Sequence, residues 1–185
     1  DVMRSTDADL GLATDGDGDR FGLLDRGARM CDSSTGIALV LDYLARRRGL
    51  TDAVGRTRAS TTLIDAVARE HGLEVIETPV GFKHFGPLFV DGSLEFAGEE
   101  SAGLTWARHL PERDGVLACL LAAEMVAVEG KTLAELAADL ERRVGAHWFR
   151  RTQIPLTRRS RQIFDRRMKQ KWNRIKGRDV VRVDR

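Results

Sequence analysis

The 185-residue chain has the composition of a globular protein, with 42% hydrophobic and 31% charged residues. No stretch approaches the ~20 apolar residues that span a bilayer, and the first four residues lack the apolar core of a signal peptide. We therefore expect a cytoplasmic location and no membrane partner. The chain begins with Asp1 rather than Met, as expected of a piece cut from a longer chain. Cys31 and Cys119 lie far apart in no metal-like pair, which predicts reduced thiols.

The charge is unevenly distributed along the chain. A net charge of +2 combines +9 in residues 158–185 with −7 in the residues before them. Basic ends of this kind occur in proteins that bind nucleic acids or acidic surfaces. This one has too few aromatic residues to form a platform on which bases stack. We interpret it as the solvated face of a helix in a linker and expect no nucleic-acid partner.

The first strand pattern is a hairpin. Apolar runs at Leu10–Ala13 and Phe21–Leu24 flank the polar loop Thr14–Arg20, and Asp25-Arg26-Gly27 closes the second run. The hairpin is too small to be a domain. We therefore interpret residues 1–31 as the terminal hairpin of a preceding α/β domain.

Residues 32–145 alternate between helix and strand patterns. Apolar residues at helical spacing behind capping residues predict helices at Thr35–Arg48, from Ser60 or Thr61 to Gly72, from Asp114 to Val128, and after the capping box at Thr132. Short apolar runs predict strands at Ala53–Arg58, Leu73–Ile76 and Ser93–Ala97. This alternation predicts one α/β domain, a layered mixed β-sheet with flanking helices. The apolar helix that follows Asp114 is expected to be buried on most sides.

Residues 146–185 carry weaker patterns. His147–Leu156 predicts a connecting strand, and the basic segment after Thr157 predicts a helix. Valines at the end of the chain predict the beginning of another strand, at Val180, Val181 and Val183.

The loop Thr14–Arg20 (TDGDGDR) carries the sharpest chemical signal. Its glycines let the backbone curl so that Asp15, Asp17 and Asp19 face one point. Mg²⁺ prefers a few carboxylates together with a phosphate oxygen, whereas an EF-hand would need Gly and Glu where this chain has Arg20 and Arg26. A metal site is favoured over an acidic turn that binds nothing. Arg20 is suited to gripping a phosphate, the alternative being simple charge balance.

Two further segments contain groups that bind sugars and phosphates. In Gly98–Gly103 (GEESAG), Glu99 and Ser101 follow a strand and can point the same way, toward neighbouring sugar hydroxyls. An ordinary acidic turn would have the same pattern. In Pro79–Gly86 (PVGFKHFG), a Lys-His pair lies between glycines and aromatic residues, where a loop can close over a phosphorylated substrate. Such a pair is more often simply part of the surface.

Together these segments resemble the α-D-phosphohexomutase family of phosphoglucomutases and phosphomannomutases. The resemblance covers Asp9 to Val128 and follows the family's motif order, which is DGDGDR at 15–20, the segment Val80–Phe85, GEES at 98–101 and ERDG at 112–115. The Gly-Phe-Lys form is most similar to bacterial phosphoglucomutases. The family has four domains. The resemblance implies that residues 1–31 end the second, residues 32–145 form the whole third, and residues 146–185 lead into a truncated fourth.

The resemblance also implies roles for individual residues. Mg²⁺ would be ligated by Asp15, Asp17 and Asp19, with Arg20 beside the phosphate of a phosphoserine. Glu99 and Ser101 would hold the 3- and 4-hydroxyls of a phosphorylated hexose. The cleft would be lined by Lys83, His84 and Arg56. Arg113 stands where the family often has Lys; it keeps the charge but is too basic to accept a proton near neutral pH.

The implied reaction moves a phosphoryl group between O1 and O6 of a hexose, with glucose 1,6-bisphosphate as intermediate and activator. The family's phosphoserine loop and its Arg-Pro-Ser-Gly-Thr-type phosphate loop are not in this sequence. The chain would thus supply metal binding and sugar recognition, would need the missing N- and C-terminal domains, and would be inactive alone. Two alternatives remain, a phosphatase with Asp15 as nucleophile and Asp17 as acid/base, and a noncatalytic module that binds a sugar phosphate or a cation.

Overall fold

The computed structural model describes residues 2–150, 152, 154–170, 173–175 and 178–179. The chain divides into two compact units, Asp1–Phe149 and Arg150–Arg185, which are described separately. The predicted domain boundaries at residues 31 and 145 stay predictions.

The first unit contains helices and strands in alternation. Its helices are α1 (Val2–Thr6), α2 (Ser33–Arg47), α3 (Leu63–Glu70), α4 (Gly86–Val90), α5 (Gly115–Glu129) and α6 (Leu133–Val144). Its strands are β1 (Leu10–Thr14), β2 (Phe21–Asp25), β3 (Arg29–Cys31), β4 (Val54–Thr57), β5 (Val75–Thr78), β6 (Phe96–Glu99) and β7 (Gly103–Trp106).

Two sheets organise these elements. The smaller is antiparallel, in the order β1-β2-β3, and includes the predicted hairpin. The larger has the order β5-β4-β6-β7, in which β4 runs parallel to β5 and β6, and β7 is antiparallel to β6. The prediction of an α/β fold with a mixed sheet and flanking helices is confirmed.

The parallel strands place the chemically interesting loops together. Because β5, β4 and β6 run in the same direction, their carboxyl ends meet at one edge of the sheet. The segments after Thr78, Thr57 and Glu99 therefore leave the sheet at this edge. These segments include the short turn Phe82–His84, here called the Lys-His turn, and the GEESAG loop.

One core joins the two sheets. Phe21 and Leu23 of the small sheet belong to the same buried cluster as residues of α2, α5 and β6. A second cluster lies beneath the Lys-His turn, where the rings of Phe82 and Phe85 meet edge to face, 5.2 Å between centroids. This aromatic packing gives the turn a fixed base.

Helix capping follows the sequence at α5 and α6 but not at α3. Asp114 accepts a hydrogen bond from the Leu117 N–H (2.9 Å) at the start of α5, as predicted. The predicted capping box of α6 is present between Thr132 and Glu135. The cap predicted for α3 at Ser60 or Thr61 is wrong, because the N-cap is Thr62, which makes no side-chain capping bond; the Thr61 hydroxyl accepts from the Leu63 N–H (3.1 Å) one residue earlier.

Several predicted boundaries are wrong. Strand β6 begins at Phe96 rather than Ser93, because Leu94 and Glu95 form hydrogen bonds outside the ladder, with Leu88 and Ala53. The sequence patterns also missed α1, α4, β3 and β7, which are all five residues or shorter. Helix α5 is buried or half-buried at most of its positions, as predicted, and its exposed face carries Val116, Leu120 and Val128.

The second unit is described by itself. Helix α7 (Arg158–Met168) begins at a Thr157 cap and buries none of its residues, as expected for a solvated basic helix. Two short antiparallel strands follow, β8 (Arg174–Ile175) and β9 (Arg178–Asp179). The strand predicted at His147–Leu156 is wrong for the described residues of that range, which have no regular structure. The strand predicted at Val180, Val181 and Val183 lies outside the described residues.

Among the described residues of both units, no helix has the length and apolar composition that crossing a membrane requires.

Candidate metal loop and sugar loop

The loop between β1 and β2, residues 15–20, is the candidate metal loop. One carboxylate oxygen each from Asp15, Asp17 and Asp19 lie within 4.8 Å of one another. Gly18 has a positive φ of 76°, and its N–H donates to the Asp15 carbonyl (3.2 Å), which closes the turn. The three aspartates therefore lie close together, as the alternating glycines predicted.

The residues of this loop fit a hard divalent cation. One oxygen of Asp19, Oδ1, is buried and has no hydrogen-bond partner among the described residues. Burial raises the pKa of Asp19, and the negative charges of Asp17 and Asp15 raise it further, although the Arg113 charge opposes this. This oxygen is buried, has no partner and lies beside two other carboxylates. A cation that prefers oxygen ligands stabilises such an arrangement.

Arg20 lies at the end of the same loop. Its backbone N–H donates to Asp15 Oδ1 (3.2 Å), and its Nε lies 3.8 Å from Asp15 Oδ2 and 3.7 Å from Asp19 Oδ1. Burial raises the pKa of Asp15, but this hydrogen bond and the Arg20 charge together leave it below its ordinary value. The Arg20 side chain is half exposed, so its guanidinium can also reach a phosphate.

The metal loop is held against α5 by a close backbone approach. The Gly115 N–H donates to the Gly18 carbonyl (2.8 Å). A Cβ at Gly115 would lie 2.8 Å from that carbonyl oxygen and closer still to the Arg20 oxygen. Glycine is therefore required where α5 begins.

The turn between β6 and β7, residues 98–103, is the candidate sugar loop. Glu99 is buried, at 3% exposure, and accepts a hydrogen bond from the Ser101 hydroxyl. The turn is tight, with Ala102 at a φ of +72°. Glu99 and Ser101 thus point the same way, as their spacing predicted.

The sugar loop and the metal loop are in direct contact. The Phe21 N–H, one residue after the metal loop, donates to the Ala102 carbonyl (3.1 Å). Arg113 connects the two loops through side chains, with Nη2 2.5 Å from Asp19 Oδ2 and Nη1 2.8 Å from Glu99 Oε1. The fold therefore gathers the aspartates, Glu99, Ser101 and Arg113 into one site.

Lys83 and His84 directly follow Phe82, which packs against Arg113 of this site. They occupy a short helical turn, Phe82–His84, preceded by Gly81 at a φ of +122°. Phe82 is buried with its ring under the Arg113 guanidinium, 5.6 Å from the ring centroid. Lys83 is exposed and His84 half-buried, which leaves both side chains available to a ligand.

Arg56 is not brought into the site by its side chain. It is buried in β4, where Asp65 binds Nε (2.5 Å) and Nη2 (2.8 Å) and Glu77 binds Nη1 (2.9 Å). These ion pairs tie β4 to α3 and β5. The predicted role of Arg56 in substrate binding stays a prediction. Its contacts with Asp65 and Glu77 give it a structural role.

Sequence reasoning missed a polar group beside the sugar loop. The Thr57 hydroxyl donates to Glu100 Oε2 (2.6 Å) and lies 2.8 Å from Ser60 Oγ. Ser33 Oγ donates to the Glu100 carbonyl (3.4 Å). A sequence signal for this group was available, because Thr57 ends, and Ser60 closely follows, a buried parallel strand next to the one that carries Glu99.

A family model described as phosphoglucomutase/phosphomannomutase, alpha/beta/alpha domain III, matches residues 32–144. The chain belongs to the phosphoglucomutase/phosphomannomutase family. It is 35% identical to a phosphoglucomutase of Komagataeibacter xylinus over 155 residues, which cover 80% of this chain and 28% of that protein. It is 32% identical to phosphoglucomutase 1 of Drosophila melanogaster, over 82% of this chain and 28% of that protein.

Two solved structures are similar to this chain. A putative phosphomannomutase from Thermus thermophilus has a TM-score of 0.69 and 38% identity, over 74% of this chain and 31% of that chain. A family protein from Burkholderia thailandensis has a TM-score of 0.66 at 22% identity, over 75% of this chain and 30% of its own, which shows the fold alone. The chain thus spans about 28% of the length of the curated relatives it matches.

Proposed function

We propose that this chain is the metal-binding and sugar-recognition part of a phosphoglucomutase-type enzyme, which interconverts hexose 1-phosphate and hexose 6-phosphate through a phosphoserine and a bisphosphorylated sugar. The observation that carries the proposal is the direct contact of the aspartate loop with the Glu99–Ser101 turn, through the Phe21 N–H and the Ala102 carbonyl (3.1 Å). A sugar held by one loop has its phosphate end within reach of the other. Membership of the family supports the reaction class.

The two loops would contribute different chemical functions. Asp15, Asp17 and Asp19 would hold Mg²⁺, which when bound stabilises negative charge on phosphate oxygens. Glu99 would accept hydrogen bonds from two neighbouring sugar hydroxyls, and the Ser101 hydroxyl that now donates to Glu99 would turn to the sugar. Lys83 and His84 would contact the phosphate that lies away from the metal.

The hairpin geometry disfavours a phosphatase with Asp15 as nucleophile. Such an enzyme needs a parallel strand before Asp15 and a helix after the loop. Here β1 and β2 pair antiparallel, with Thr14 opposite Phe21, and the chain returns directly into the sheet. A noncatalytic binding module uses the same two loops and differs only in the fate of the phosphoryl group.

The proposal is tested in a protein that carries this chain together with the family's other domains. Glu99→Gln should lower kcat/KM for glucose 1-phosphate by tenfold or more, because a buried sugar hydroxyl loses a charged acceptor, worth about 1–3 kcal/mol. Glu74→Gln is the matched control, since Glu74 is exposed and precedes β5, at the edge of the sheet opposite to the two loops. Equal kinetics in the Glu99 variant and the control would refute the assignment of the sugar loop.

A further inference from the structure

Arg113 holds two acidic groups that belong to different loops. One terminal nitrogen lies 2.5 Å from Asp19 Oδ2 in the metal loop, and the other lies 2.8 Å from Glu99 Oε1 in the sugar loop. The flat guanidinium rests over the Phe82 ring, and the Arg113 side chain runs across Gly103, where a Cβ would collide with it. Arg113 thus contacts both loops at once.

This link has an electrostatic consequence for the metal loop. The Asp19 carboxylate offers one oxygen to Arg113, while its other oxygen is buried without a hydrogen-bond partner in the described structure. A cation that binds the three aspartates therefore shares the Asp19 charge with Arg113. Because a guanidinium stays protonated at every working pH, Arg113 opposes cation binding under all ordinary conditions.

The same link has a consequence for Glu99. A carboxylate buried as deeply as Glu99 needs a cationic partner. When the Asp19 carboxylate binds a cation, the guanidinium loses one of its three anionic partners, which are Asp19, Glu99 and the exposed Glu112, and its pair with the buried Glu99 strengthens. An arginine can serve two loops with two nitrogens, whereas a lysine is a single point charge.

We propose that Arg113 is a positioning residue that couples the two loops: it lowers the cation affinity of the aspartates, and cation binding shifts it from Asp19 toward Glu99. The inference rests on the proposed metal role of Asp15, Asp17 and Asp19. Since coupling between two sites is reciprocal, a ligand that draws Arg113 toward Glu99 also tightens cation binding at the metal loop.

The first test measures Mn²⁺ binding by calorimetry, at low ionic strength, in the wild-type chain and in Arg113 variants. Arg113→Met and Arg113→Gln should bind Mn²⁺ about tenfold more tightly, because each removes a positive charge in contact with a ligand. Arg113→Lys should stay within about threefold of wild type. Arg47→Met is the control for net charge, because Arg47 lies at the far end of α2, ~20 Å along the helix from the end beside the sugar loop.

A gain in affinity separates this role from a merely structural one, because partial unfolding can only weaken binding. If Arg113→Met does not fold, Arg113→Gln keeps a donor for Glu99 and decides the question. Unchanged or weaker Mn²⁺ binding in a folded, neutral variant would overturn the proposal. Absence of Mn²⁺ binding in the wild type would instead overturn the metal role on which it rests.

The second test follows the sugar loop directly. Hydrogen exchange of residues 98–103 is measured with and without saturating Mn²⁺. In the wild type the protection of this segment should change on Mn²⁺ binding, and in Arg113→Met it should not. A wild-type sugar loop that does not respond to Mn²⁺ would overturn the coupling even if the affinities change as expected.

Discussion

At the scale of single residues, Gly115 shows how the backbone constrains the site. Its Cα faces the carbonyl oxygens of Gly18 and Arg20, with no room for a side chain. Gly115→Ala should push the metal loop away from α5, weaken Mn²⁺ binding severalfold and destabilise the fold by about 1–3 kcal/mol, as overpacking does. Calorimetry and urea unfolding measure the two effects.

Gly22→Ala is the matched control for that substitution. A Cβ at Gly22 would make only an ordinary contact, 3.8 Å from the Ala13 Cβ, and Gly22 is not among the glycines with a positive φ. The control should keep Mn²⁺ affinity and stability close to the wild type. If both alanine variants behave alike, the close approach at Gly115 does not position the loop.

Asp25 is a second residue whose importance appears only in three dimensions. It is buried at the end of β2, and its two oxygens accept hydrogen bonds from the Leu133 and Ala134 N–H groups (3.0 Å each) at the start of α6. Asp25→Ala leaves both donors without a partner and should cost about 1–3 kcal/mol or more of unfolding free energy. Asp25→Asn keeps one acceptor and should lose less. Equal losses in urea unfolding would contradict this explanation.

At the scale of elements, an ionic cluster around the buried carboxylate of Asp42 joins three helices. Asp42 of α2 binds His71 beyond α3 (2.8 Å), Arg46 (2.9 Å) and Arg143 of α6 (2.7 Å). Burial raises the pKa of Asp42, but the hydrogen bonds from His71 and Arg143 and the nearby arginine charges lower it more, so the pKa lies below its ordinary value. The ionised carboxylate therefore stabilises the folded state.

The sign of that shift predicts a pH dependence. The stabilisation from Asp42 is complete above the unfolded pKa of about 4 and is lost as the pH falls through the lower folded pKa. Asp42→Asn should cost about 1–3 kcal/mol near pH 7, because Arg46 and Arg143, which are partly exposed to solvent, lose a charged acceptor. It should also flatten the fall in stability below pH 4. Urea unfolding from pH 2 to 7 measures both, and parallel profiles for the two proteins would refute the assignment.

Elements with a long periodic pattern could be predicted from the sequence, and short ones could not. Helices α2, α5 and α6 have caps and enough turns for their periodicity to stand out. Strand β7, Gly103–Trp106, has only four residues after a tight turn, and its place in the sheet depends on its pairing with β6. The exposed face of α5 could not be foreseen either, because composition gives no information on which side of a helix neighbours pack.

Site residues that lie close together in the sequence could be predicted, and contacts between residues far apart in the sequence could not. Three aspartates that alternate with glycines predict that their carboxylates converge. The spacing of Glu99 and Ser101 predicts that these two side chains point the same way. That Arg113 bridges Asp19 and Glu99 requires positions 14 and 94 residues apart to meet, which no local pattern encodes. Arg56 shows the opposite case, since its partners are Asp65 and Glu77 rather than a ligand.

At the scale of the whole molecule, each of the two sheets of the first unit contributes a different loop to one site. The small sheet carries the metal loop, and the large sheet carries the sugar loop and the Lys-His turn. Their shared core, which includes Phe21 and Phe96, fixes the spacing between them. The first unit therefore positions both loops through its own contacts.

The chain alone should nevertheless be inactive as a mutase. In the family resemblance the phosphoryl group is carried by a serine loop that this sequence does not contain, and binding groups alone cannot move a phosphoryl group between two ends of one sugar. We expect no turnover of glucose 1-phosphate with Mg²⁺ and a trace of glucose 1,6-bisphosphate, although the chain folds. A coupled assay for glucose 6-phosphate, run beside an assay for free phosphate, measures this. Asp15→Asn is the decisive comparison: phosphate release that survives repeated purification and disappears in this variant would identify Asp15 as a nucleophile and restore the phosphatase alternative.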